Sequence, residues 1–79
     1  MPENIPTVLE VLRQIAPDGI IRGEDYGFVS AVLHLRARGY PDRVVEIVAE
    51  QVQTFCRNRC IWTMVEGQRR RVIPGLLTS

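Results

Sequence analysis

The eighteen residues Asp42–Arg59, DRVVEIVAEQVQTFCRNR, decide how the fold is read. Val44, Ile47, Val48, Gln51, Val52 and Phe55 recur at spacings of three and four, which predicts an amphipathic helix with that stripe turned inward. Glu46, Glu50, Gln53 and Arg57 fall on the opposite stripe. Tyr40-Pro41-Asp42 forms the helix entry, since proline fits the first turn and a short acid there suits the macrodipole. A hairpin carrying Arg69-Arg70-Arg71 is expected directly after this helix.

Outward from that stretch, the upstream chain holds two more helices. Thr7-Val8-Leu9-Glu10 fits a capping box, with Val8, Leu9, Val11, Leu12 and Ile15 on the apolar side and Pro17 as the stop. Ile20-Ile21-Arg22 is a short β-branched run, enough for a small strand. A second helix is expected over residues 24–38, with acids in its first turn, Phe28, Val29, Val32 and Leu35 as its core stripe, and Gly39 as its left-handed cap. Tyr26, Leu33 and Ala37 lie on another side, so this helix is apolar on more than one face.

Downstream, CIWTMVE (60–66) has strand composition, with Trp62 and Met64 on one face and Ile61, Thr63 and Val65 on the other. Glu66-Gly67-Gln68 supplies the turn, residues 69–73 return, and Pro74-Gly75 ends the strand. On a hairpin covering three small helices, Trp62 is expected to seal the core. The resulting class is α+β, mainly α: three helices with a short strand and a C-terminal β-hairpin. Residues 1–6 read as an N-terminal tail, 7–75 as a single domain, and 76–79 as a C-terminal tail able to fold back through its leucines.

Seventy-nine residues bury only about 60% of their unfolded surface, so the core is small and oligomerisation is a natural supplement. At 46% hydrophobic and 24% charged, the chain has globular composition. No apolar run approaches the roughly 20 residues of a membrane span, and no signal peptide is apparent, which gives a cytoplasmic expectation. All ten basic residues are arginine. Guanidinium forks suit phosphate and carboxylate, and arginine-rich codon usage gives the same count. Residues 1–50 carry net −3 and residues 51–79 net +4, a polarity that points to an anionic partner at the C-terminal end.

The order helix, strand, helix, helix, strand, turn, strand resembles the winged helix-turn-helix superfamily across Thr7–Ile73. That resemblance implies a recognition helix at Asp42–Arg57 and a wing at Ile61–Ile73, with Arg69, Arg70 and Arg71 where winged proteins often touch the phosphate backbone. The expected function is a nucleic-acid-binding regulatory protein, with Arg57 and the arginine run on phosphates and Arg43 and Gln53 near a groove. A homodimer would use the second helix or the C-terminal leucines. The alternative is a protein-interaction adaptor or small phage- or plasmid-type inhibitor that docks on a host protein, favoured by the acidic first half and by Glu46 and Glu50.

Other chemistry finds little support. Cys56 and Cys60 are four apart and need two more ligands to hold a metal, and His34 is the only histidine. They read as free thiols, and His34 as a surface residue of the polar helix side. No phosphate-cradling loop, dinucleotide fingerprint or triad spacing occurs, so neither an enzyme nor a cofactor is expected.

Overall fold

The computed structural model of the chain describes residues 4–76. Helix α1 spans Val8–Ile15, strand β1 Ile20–Ile21, helix α2 Phe28–Ala37, helix α3 Asp42–Arg59, strand β2 Ile61–Val65 and strand β3 Gln68–Val72. The three strands form one antiparallel sheet in the order β1-β3-β2, so the last strand lies in the middle. The fold is α+β and mainly α. No helix among the described residues is long and apolar enough to cross a membrane.

Helix α1 begins as its sequence dictates. The Thr7 hydroxyl accepts from the Glu10 amide at 3.2 Å, and the Glu10 carboxylate accepts from the Thr7 amide at 3.3 Å. Two otherwise orphaned donors are satisfied together. Ahead of the helix, the Tyr40 hydroxyl donates to the Asn4 carbonyl at 3.1 Å.

Helix α2 starts four residues later than the sequence suggests. Tyr26 and Gly27 both take left-handed backbone angles, with φ of 54° and 81°. Such residues do not propagate a right-handed helix. Asp25 caps the turn from outside the helix, its carboxylate accepting from the Val29 amide at 2.8 Å and the Gly27 amide at 3.3 Å. Position 27 favours glycine because its φ is positive; the first carbon of a side chain there would meet Ile15 and Val52 at 3.5 and 3.7 Å, ordinary contact distances.

Helix α3 has the expected length but is rolled about its axis. Its buried residues are Val45, Val48, Ala49, Val52 and Cys56. Ile47 and Gln51, expected inside, are exposed, and Val44 and Phe55 flank the seam. The offset is about one residue, roughly 100° of helix rotation. Valines at 44, 45, 48 and 52 supply overlapping stripes, and the one that includes the fully buried Ala49 is turned into the core.

The core gathers Val11, Leu12 and Ala16, Ala31 and Leu35, the α3 seam, Ile21, Ile73 and Leu76. Leu76, assigned to the tail from sequence, is 4% exposed and packs into this cluster. Leu77 and the residues after it lie outside the described residues. Trp62 does not seal the core; it is 56% exposed. The molecule measures 42 × 25 × 19 Å with its hairpin, whose outer strand is exposed, and Ile21, Ile73 and Leu76 close the core in place of Trp62.

Leu35→Ala should lower unfolding stability by about 2–5 kcal/mol, the usual cost of a cavity at a fully buried leucine. Leu33→Ala, on the exposed face of the same helix, should stay within about 0.5 kcal/mol. Urea denaturation of the two variants checks which face of α2 is buried; equal losses would contradict it.

Candidate functional site

The site assembles where the end of α3, the loop before α2 and the hairpin meet. Strand pairing aligns Trp62 with Arg71 and Met64 with Arg69, so these four side chains share one sheet face. Thr63 and Arg70 are paired on the other face. The two-residue turn Glu66-Gly67, with φ of 50° and 80°, holds this register.

On the first face the arginines stack on aromatic rings. The Arg69 guanidinium lies 4.9 Å from the Trp62 ring centre, and Arg71 lies 5.5 Å from Trp62 and 4.6 Å from Tyr26. Arg57, in the last turn of α3, completes the row at 5.5 Å from Tyr26. The order along the surface is Arg57, Tyr26, Arg71, Trp62, Arg69. The one ion pair among the described residues is Arg22–Asp18 at 2.8 Å, so these three arginines have no carboxylate partner there.

Tyr26 reaches the row because its backbone is held in an uncommon state. A non-glycine residue at positive φ is strained, and surrounding structure must fix it. Asp25 is clamped on both sides: its carboxylate caps α2, and its carbonyl accepts from the Gln53 side-chain amide at 3.2 Å. Each exposed stack contributes about 0.5–1 kcal/mol, whereas ordering an arginine side chain costs up to about 2 kcal/mol. The row therefore adds little to stability. It pre-orders three cations while leaving their N–H edges available.

The sequence-derived site residues divide accordingly. Arg57, Arg69 and Arg71 come together, with Arg71 half-buried. Arg70 points to the opposite face, where it donates to the Gln68 side-chain oxygen. Gln53 is engaged with Asp25 and acts as a positioning residue. Arg43 is exposed in the first turn of α3, fourteen residues before Arg57 and about 21 Å away along the axis. Tyr26 and Trp62 complete the row; the strand alternation placed Trp62 beside Arg69 and Arg71, but nothing in the sequence announced Tyr26.

The remaining chemistry-bearing residues stand apart from the row. Cys56 is fully buried, and desolvation pushes its thiol up to about 11, with Cys60 adding to the shift and Arg71 opposing it. His34 is half-buried rather than on the surface, in a recess with Arg13, Gln14, Arg38 and Tyr40. Burial first, and the Arg38 charge second, hold its ring below the usual histidine range. Among the described residues no three of His, Cys, Asp and Glu are grouped to hold a metal ion.

Comparison of the chain with protein-family models, with curated proteins and with solved structures gave no match.

Burial and the raised titration of Cys56 make it inert at neutral pH. At pH 8 a disulfide-exchange reagent should titrate one thiol in the folded protein and two in denaturant. Two fast equivalents before unfolding would contradict the burial of Cys56.

Proposed function

We propose that the protein is a small winged-helix-like regulator that binds nucleic acid through phosphate contacts made by Arg57, Arg69 and Arg71. The observation that carries this reading is the row itself: three guanidinium groups without a carboxylate partner among the described residues, ordered by Tyr26 and Trp62, two on one face of the hairpin and one in the last turn of α3. Guanidinium groups offer forked donors that match phosphate oxygens, and stacking leaves those forks exposed. The charge of the C-terminal part of the chain, net +4 over residues 51–79, has the same sign.

The contribution of α3 differs from that of a groove-reading helix. Its exposed face presents Glu46, Ile47 and Glu50, and carboxylates facing a groove repel phosphate. Binding is thus led by the hairpin and the end of α3, with little base readout. Arg43 and Arg70 sit away from the row and serve at most as peripheral contacts.

A second reading, an adaptor or a phage- or plasmid-type inhibitor docking on a host protein, draws on different residues. Val29 and Leu33 form an exposed apolar stripe on α2, and Glu46 and Glu50 lie on the neighbouring helix. The two glutamates line a recess with Phe28, Val32 and Arg36 of α2, and neither they nor the apolar stripe suit phosphate.

Fluorescence anisotropy of a labelled random DNA duplex at several salt concentrations tests the first reading. Each phosphate contact adds about 0.9 to the magnitude of the slope of log K against log salt. Replacing Arg57, Arg69 and Arg71 together with alanine should flatten the slope by about 3 and weaken binding equally across sequences. Arg43→Ala should change it by less than one contact. Unchanged binding by the triple variant, or none by the wild type at low salt, would remove this reading and favour the adaptor.

A further inference from the structure

We infer that β2 is a self-association edge, and that two copies of the chain join β2 to β2 about Thr63 into one six-stranded antiparallel sheet. β2 is the outer strand of the sheet, paired to β3 without interruption over all five residues. The two-residue turn makes Val65 and Gln68 the closing pair, which exchanges both backbone hydrogen bonds. Alternation along an antiparallel ladder then makes Thr63–Arg70 and Ile61–Val72 hydrogen-bonded pairs, and Met64–Arg69 and Trp62–Arg71 non-hydrogen-bonded ones. The N–H and C=O groups of Trp62 and Met64 therefore point away from β3. No backbone hydrogen bond outside the sheet engages them.

This edge carries none of the usual protections. IWTMV has no charge and no proline, and the unbroken register leaves no bulge. Its large side chains are exposed on both faces: Ile61 at 53%, Trp62 at 56% and Met64 at 65%. An exposed flat apolar edge is a template for another strand.

The same five residues are complementary to themselves. An antiparallel pairing centred on Thr63 sets Trp62 of one copy against Met64 of the other, and these are the residues whose backbone groups face outward. Two such pairs form, with four inter-chain hydrogen bonds and a thioether against an indole in each. Ile61 meets Val65 on the other face. No charge is set directly against a like charge. The β3 backbones of the two copies are separated by three strand spacings, about 14 Å, while the Arg69 and Arg71 guanidinium groups lean over Trp62 toward the seam, so association should strengthen with added salt. Symmetry about Thr63 keeps both arginine rows on one face of the joined sheet. The interface is at the small end of specific interfaces, so association in the micromolar range is expected. The C-terminal leucine Leu76 is already used in the core, and the proposal does not depend on nucleic acid.

Thr63 pairs with itself at a non-hydrogen-bonded position, where Cα atoms are about 4.5 Å apart and within reach of a disulfide. In a Cys60→Ser background, Thr63→Cys should give a covalent dimer on mild oxidation, whereas Thr54→Cys, exposed on α3, should stay monomeric. Sedimentation of the wild-type chain should show concentration-dependent doubling of mass, with a blue shift of the sole tryptophan. Met64→Lys should abolish both and Leu33→Glu neither. Equal cross-linking of the two cysteine variants, or association lost with Leu33→Glu and kept with Met64→Lys, would overturn the proposal.

Discussion

The packing of α3 against α1 and α2 through Val45, Val48, Ala49, Val52 and Cys56 governs where every other feature points. Only the Cys60 cap separates this helix from β2, so its roll sets the direction in which the hairpin leaves the body. The same roll brings Gln53 under the loop before α2 and Arg57 beside Tyr26. Had the helix packed on the stripe through Ile47 and Gln51, Arg57 and Gln53 would face elsewhere. A one-residue rotation of a helix is roughly 100°, enough to exchange a core position for a surface one.

Around that seam, polar groups fix what apolar packing leaves free. Asp25 joins three pieces: it caps α2, closes the Tyr26–Gly27 turn and receives the Gln53 amide through its carbonyl. The left-handed Tyr26 is a local cost absorbed by this clamp. Its ring then becomes a shelf for Arg57 and Arg71, which come from different elements. Strain, cap and cation stacking thus form one connected arrangement, in which the net stability gain is small and the gain in order is large.

Charge and apolar exposure are distributed with similar economy. The arginine row occupies one face of the hairpin, with Arg70 on the reverse beside Gln68. The acidic residues Glu46 and Glu50 stay on α3, about three and two helical turns before Arg57. Apolar side chains left over from a core this small appear on the β2 edge and on the outer stripe of α2. A chain of this length cannot cover all of its apolar surface alone.

The sequence by itself determined the elements whose signals are local. The capping box at Thr7–Glu10, the length of α3, a glycine turn after β2 (read as Glu66-Gly67-Gln68, observed as Glu66-Gly67 with Gln68 already paired to Val65) and the alternation of Arg69 and Arg71 against Arg70 follow from short-range stereochemistry and were legible in the residue pattern. Tertiary structure decided what depends on partners distant in the chain. The valine-rich α3 supports two overlapping stripes, and only its packing with α1 and α2, which buries Ala49, selects one. The start of α2 was misplaced because Glu24 and Asp25 look like first-turn acids, whereas the left-handed pair after them belongs to a loop held by Gln53 from across the fold. Trp62 reads as a core lid because aromatic burial is the usual outcome, yet it stays exposed on the outer strand of the sheet and Leu76 packs into the core instead. Tyr26 carried no signal as a site residue, since its role exists only where three separate elements converge.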